Sequence, residues 1–258
     1  MQLKYPMGMS IWSVPYFMGE PMTGFNVPKP NTVVSPALPD GTPQERMAVL
    51  NRELADRVAG DDYSVVYAGD CVSAIGVLAG LQRRGVAPLL IWLDAHGDFN
   101  TWETTPSGFL GGMPLAMLTG RGEQTIVAGA GLRPLPDEQV ILVDARDLDS
   151  GEDEALAASG IAVESVDELA HSLPPDAPLC VHIDVDVVRP VDLPAVNYPA
   201  SGGPTLRQVR AAMIHLATTD RVVAVSVSGW NPALPGAEVA AEATHQLVAP
   251  FLAELTNG

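Results

Sequence analysis

Cysteine is almost absent from this chain: Cys71 and Cys180 are the two thiols in 258 residues. Two thiols make no disulfide framework, and a reducing, cytoplasmic compartment is expected. Basic residues are scarce, 14 Lys and Arg against 31 Asp and Glu, for a formal charge of −17. That balance argues against nucleic acid and against anionic membrane surfaces as partners. Most of the acidic surplus reads as solvated surface. Long hydrophobic runs are lacking, so no membrane span is expected. The amino terminus has neither the charged lead nor the apolar stretch of an export signal. No repeat of fixed period is present, and nothing has the composition of a linker. What remains is 47% hydrophobic, enough for a substantial core, and the length suits one domain over 1–258.

Two stretches carry the chemistry. Ile91-Trp92-Leu93-Asp94-Ala95-His96-Gly97-Asp98-Phe99-Asn100 opens as an apolar run typical of a buried parallel strand. It then delivers Asp94, His96 and Asp98 at alternate positions, which share a face on a strand. Two carboxylates and an imidazole so placed are good ligands for a divalent transition metal. A polar loop with a capping aspartate is the plainer alternative. Leu179-Cys180-Val181-His182-Ile183-Asp184-Val185-Asp186 is a second apolar run ending in alternate acids. Two strands that end this way can clamp a pair of ions roughly 3.5–4 Å apart. Acids at dry strand ends also need a counter-charge.

The remaining pattern alternates strands and helices. Strands are expected over residues 9–15, 64–67, 88–93, 124–130, 139–143, 161–163, 178–183 and 221–228. Helices are expected over 43–59, 72–84, 114–118, 152–159, 205–217 and 237–255. Residues 20–42, 101–112 and 187–204 read as loops, and 144–152 as a charged turn. This order predicts an α/β fold with a mostly parallel sheet. Both acid motifs fall at strand carboxyl ends, where open α/β sheets bind ligands.

The chain resembles the ureohydrolase family of arginases and agmatinases. The matching pieces are Ala68-Gly69-Asp70-Cys71, Asp94-Ala95-His96-Gly97-Asp98, Ser107-Gly108, Asp184-Val185-Asp186 and Asn231-Pro232. They occur in order across most of the chain. The resemblance implies a three-layer α/β/α arginase-like fold and two Mn2+ ions. It also implies hydrolysis of a guanidino group by a metal-bridging hydroxide. By the same resemblance Asp94 and Asp184 bridge the ions, and His96 and Asp186 bind one of them. Asp98 binds the other and passes a proton to the departing amine. Its remaining ligand is a histidine in the family and Cys71 here. A thiolate can coordinate too, but it is softer than imidazole, which bears on manganese selectivity. A small packed residue at a helix start is the plain reading of Cys71. Cys180 is read as core, and His182 as a core or supporting residue on the face of Asp184. His171, His215 and His245 are expected to have no role. The family usually forms trimers or hexamers, so a homo-oligomer is expected.

Substrate contacts follow from the same resemblance. In arginases two loops hold the amino-acid end of L-arginine, and the matching positions are Asn100, Thr105 and Ser107 on one and Asp149 and Glu152 on the other. Hydroxyls and an amide suit an α-carboxylate, and acids suit an α-ammonium. Ordinary turn and cap residues are the alternative. The guanidinium end departs from the family: a histidine position is Gly111, and a glutamate position is Gly229. A less basic guanidino group bearing an extra oxygen tolerates both losses. Nω-hydroxy-L-arginine fits that description, and the cysteine-for-histidine change at Cys71 resembles the hydroxyarginine hydrolases of D-cycloserine biosynthesis, which release hydroxyurea and ornithine. An ordinary arginase or another guanidino-acid hydrolase is one alternative. A non-catalytic metal- or ligand-binding member of the family is the other.

Overall fold

Eight parallel strands form one sheet in the computed structural model, which describes residues 8–27 and 32–252. The strands are β1 (Met9–Val14), β4 (Thr32–Val33), β5 (Tyr63–Ala68), β6 (Leu89–Leu93), β7 (Val140–Val143), β8 (Ala162–Glu164), β9 (Leu179–Asp184) and β10 (Val222–Ser228). A two-stranded antiparallel ribbon, β2 (Tyr16–Phe17) and β3 (Glu20–Pro21), stands apart from it. The order across the sheet is β4-β1-β5-β10-β9-β6-β7-β8. The inner strands are buried on both faces, and so they read as continuous apolar runs such as Leu-Leu-Ile-Trp-Leu in β6.

Helices cover both faces. On one side lie α1 (Pro43–Val58), α2 (Ala74–Arg83), α3 (Pro114–Leu118), α4 (Thr125–Ala130) and α5 (Ser150–Ala157). Their apolar residues, among them Leu50, Ile75, Leu115, Ile126 and Leu156, pack with Val66, Leu90, Trp92 and Cys180 of the sheet. On the other side lie α6 (Leu169–Ser172), α7 (Leu206–Thr218) and α8 (Ala237–Val248). There Leu169, Met213 and Leu247 pack on Val65, Ile91, Val181 and Val227. The result is the expected three-layer α/β/α fold. Strand alternation decides which side chain joins which core, since successive residues face opposite layers.

Local signals set the helix ends. Thr42 caps α1 through a reciprocal box with Glu45, and Thr205 caps α7 in the same way with Gln208. Each such cap is worth about 1 kcal/mol. Among the described residues no helix is long and apolar enough to cross a membrane.

Three expectations are corrected. Residues 124–130, read as a strand from Thr-Ile-Val, contain the helix α4. Its Ile126, Val127 and Ala130 are buried, Gly129 lies against Ala48 of α1, and Gly131 closes the helix with φ +74°. Packing against α1 overrides the β-branched propensity. The last helix stops at Val248, not 255. Pro250 removes a backbone donor, and a 3-10 turn over Ala249–Phe251 follows. Residues 253–255 lie outside the described residues. The loop expected over 20–42 also holds the short strands β3 and β4.

Candidate metal centre and substrate cavity

The four central strands of the sheet are β5, β10, β9 and β6. Their carboxyl ends lie side by side and deliver Cys71, Gly229, Asp184 and Asp94 respectively, at or just beyond the strand ends. A cavity of about 420 Å³ opens over them. All eleven expected site residues line it: Cys71, Asp94, His96, Asp98, Asp184 and Asp186 around the acid cluster, and Asn100, Thr105, Ser107, Asp149 and Glu152 towards the loops.

Two tight groups of donor atoms share one carboxylate. Asp94, His96 and Asp186 place one donor atom each within 4.8 Å of one another, and so do Cys71, Asp94 and His182. Within the first group His96 Nδ1 lies 3.1 Å from Asp186 Oδ2 and 3.4 Å from Asp94 Oδ1. In the second, Cys71 Sγ lies 4.0 Å from Asp94 Oδ2, and outside the group the thiol donates to Asp184 Oδ2 at 2.9 Å and sits 3.1 Å from Ser228 Oγ. Backbone and indole donors hold the acids in place. His96 N donates to Asp94 Oδ1 at 2.8 Å, Trp92 Nε1 to Asp94 Oδ2 at 3.2 Å, and Asp186 N to Asp184 Oδ1 at 2.9 Å. Asp98 takes φ +49° and buries its carboxyl, and its Oδ2 has no hydrogen-bond partner.

Such a cluster resists ionisation without a cation. Burial first, then the neighbouring Asp186 charge, pushes Asp184 up to about 7. Burial and Asp94 push Asp186 up to about 6. Burial and the adjoining acids drive Asp98 and the Cys71 thiol well above their usual ranges. Burial by itself would lower the His96 imidazole, but its contacts to Asp186 and Asp94 carry it up to about 12. The orphaned oxygen of Asp98 and the crowding of four buried carboxyls suit a divalent metal pair. The donor chemistry is mixed oxygen, nitrogen and sulfur, which transition ions accept.

The loop residues are tied to one another. Asn100 Nδ2 donates to Asp149 Oδ2 at 2.9 Å, joining the two loops. Both oxygens of Glu152 accept backbone donors, from Phe99 N at 2.8 Å and Asp149 N at 3.2 Å, the latter as part of the cap of α5. Thr105 and Ser107 hydroxyls lie 3.3 Å apart and accept from Gly108 N and Phe109 N. These bonds make Glu152 and the two hydroxyls turn-formers as well as cavity-liners.

The sequence model of the arginase family matches residues 22–256. The chain belongs to the arginase family. The Nω-hydroxy-L-arginine amidinohydrolase of Streptomyces lavendulae is 32% identical over 220 residues, covering 84% of this chain and 76% of that protein. An arginase of Bacillus subtilis is 35% identical over 201 residues, covering 71% of this chain and 68% of its own. The solved arginase of Entamoeba histolytica, in complex with L-ornithine, superposes with a TM-score of 0.82 at 20% identity, over 94% of this chain and 97% of that one. At that identity the superposition speaks for the fold. Members of the arginase family are hydrolases of amidino carbon–nitrogen bonds, and this chain is one of them.

Several cavity residues of this arginase-family chain escaped the sequence reading. Phe17, Phe109 and Tyr198 line the mouth, with Phe109 6.3 Å from Phe17 and 5.1 Å from Tyr198 between ring centroids. They come from three distant segments, and no local motif joins them. His182, expected as a core or supporting residue, is in the core and does not line the cavity. It is 1% exposed, stacks on Trp92 at 3.8 Å and bonds Ser226 Oγ through Nδ1 at 2.7 Å. Its alternation with Asp184 was the available signal. Gly229 takes φ +104°, and a Cβ there would collide with the Asp184 carboxylate. No side chain fits at that position while Asp184 holds this rotamer.

Proposed function

We propose that this arginase-family hydrolase cleaves Nω-hydroxy-L-arginine with water to hydroxyurea and L-ornithine, using two Mn2+ ions. Support for the metal pair is the sharing of Asp94 by two donor groups. In this reading Asp94 and Asp184 would serve both ions, with His96 and Asp186 holding one and Cys71 and Asp98 the other. When bound, such a pair brings water towards its hydroxide near neutral pH and stabilises negative charge as it develops.

The observation that carries the substrate choice is Gly229. An arginase pairs the guanidinium with a glutamate there, by the resemblance already drawn. Here the position has no side chain, and its backbone lies against Asp184. A strongly cationic guanidinium therefore loses a partner, whereas the hydroxyguanidine, less basic, needs it less. Gly111 points the same way, because the histidine it replaces is gone and the Phe109 ring stands in its space. The identity to the Streptomyces lavendulae enzyme is in keeping with this substrate.

The chain's own groups have separable tasks. Asn100, Thr105 and Ser107 offer an amide and two hydroxyls to an α-carboxylate, and Asp149 and Glu152 offer carboxylates to an α-ammonium. Agmatine has no α-carboxylate and would leave the first set unused. The Phe17–Phe109–Tyr198 wall covers the aliphatic chain and excludes water. Asp98, with one oxygen free of protein partners, protonates the leaving δ-amine of ornithine. The test is product analysis on manganese-loaded protein given hydroxyarginine and arginine separately.

A further inference from the structure

The sequence swaps one expected histidine for Cys71, yet an imidazole still reaches that end of the cluster. His182 comes from β9, two residues before Asp184 and on the same strand face. It pairs directly with Trp92 on one neighbouring strand and Ser226 on the other. Trp92 stacks against the ring, and Ser226 Oγ holds Nδ1 at 2.7 Å. These two contacts fix the ring plane and leave Nε2 as a buried nitrogen without a partner. A ring nitrogen of His182 lies within 4.8 Å of donor atoms of both Cys71 and Asp94. One nitrogen anchored by a hydroxyl and the other left for an ion is the usual arrangement of a ligating histidine.

We propose that His182 is a metal ligand on the Cys71 side of the pair, supplying from β9 the imidazole that Cys71 does not. This rests on the binuclear reading above and adds a ligand to it. Cysteine is shorter than histidine, so the change at 71 makes room. His182 stands within reach of that room, its ring held by Trp92 and Ser226 of the two neighbouring strands. The set on that side becomes Asp94, Asp184, Asp98, Cys71 and His182. An added imidazole moderates the softness of the thiolate, which bears on the choice between manganese, cobalt and zinc.

The test counts coordinated imidazoles without reference to turnover. Full-length protein is loaded with Co2+, its metal content is measured, and its hyperfine-shifted proton spectrum is recorded in H2O and D2O. Two exchangeable imidazole N–H resonances are expected, from His96 and His182, with two ions per chain. His182→Gln keeps size and polarity but not the ligand; it should lose one resonance and fall from two tightly held ions to one. The double variant Cys71→His, His182→Ser moves the imidazole across the gap and should restore both. One resonance in wild-type protein holding two ions would overturn the role of His182 and leave the binuclear site standing. Two ions and two resonances retained in His182→Gln would do the same. Wild-type protein that takes up no cobalt would overturn the binuclear reading and His182 with it.

Discussion

The ring of Phe109 occupies the space into which a side chain on residue 111 would project. Phe109 caps the 3-10 segment Leu110–Gly112, and Gly111 lies within it. Phe109 is held on its outer side by Phe17 and Tyr198, so it cannot swing away without unstacking. Gly111→His should therefore cost about 1–3 kcal/mol as an overpacked side chain. Adding Phe109→Ala should recover most of that loss. Denaturant unfolding of the two variants checks this; equal stability of Gly111→His and the parent would show that the ring yields freely.

Gly229 is constrained by backbone and by space together. Its φ of +104° disfavours any L side chain, and a Cβ there meets the Asp184 carboxylate. Strain of this kind costs about 1–3 kcal/mol. Gly229→Ala is expected to lower the unfolding midpoint and to displace Asp184, weakening metal uptake. Metal analysis after dialysis reads the second effect. Full metal content in a normally stable Gly229→Ala would contradict the packing described.

Asp98 sits at φ +49°, a conformation that asparagine tolerates better than most residues. Asp98→Asn should fold normally but lose its dissociable proton. Hydrolysis should fall by at least about 100-fold, in the range of a removed general acid. Circular dichroism and turnover, measured on the same sample, separate the two effects. Near-normal turnover would remove Asp98 from the proton path.

The acid cluster gives the metal-free protein an unusual pH response. Asp184 and Asp186 titrate at about 7 and about 6 in the fold, against about 3.9 in an unfolded chain. Between these limits the native state binds more protons than the unfolded state, so stability falls as pH rises. His96, raised to about 12, adds a loss of the same sign above about 6.5. Chelator-treated protein should therefore melt at lower temperature at pH 7.5 than at pH 5. Divalent metal should reverse this, because it requires the carboxylates ionised. A flat melting profile from pH 5 to 7.5 without metal would contradict the burial assigned to these acids.

The acid motifs were legible in the sequence because each follows an apolar run that ends at the cavity. Asp184 closes β9, Asp94 and His96 follow β6, and Asp186 sits on the 3-10 turn Val185–Val187, so the strands set the direction and the turns beyond them do the placing. The central strands were legible for a related reason: burial on both faces leaves unbroken apolar runs. What depended on contacts far apart in sequence was not legible. The helix α4 is decided by Gly129 against Ala48, and its own residues favour a strand. The aromatic wall joins residues 17, 109 and 198, which no spacing rule connects. The position of His182 beside Cys71 follows from β9 lying beside β6 and near the end of β5. That neighbourhood is a property of the sheet, not of either segment. Gly229 could be read as a missing glutamate, but only the backbone shows that the space is taken.

The substrate is tested most directly by the ratio of kcat/KM for Nω-hydroxy-L-arginine to that for L-arginine, on manganese-loaded protein with products identified. The account predicts hydroxyurea and ornithine from the first substrate and a ratio well above one. Fast urea release from L-arginine, with a ratio at or below one, would contradict it and make the chain an ordinary arginase despite Gly111 and Gly229.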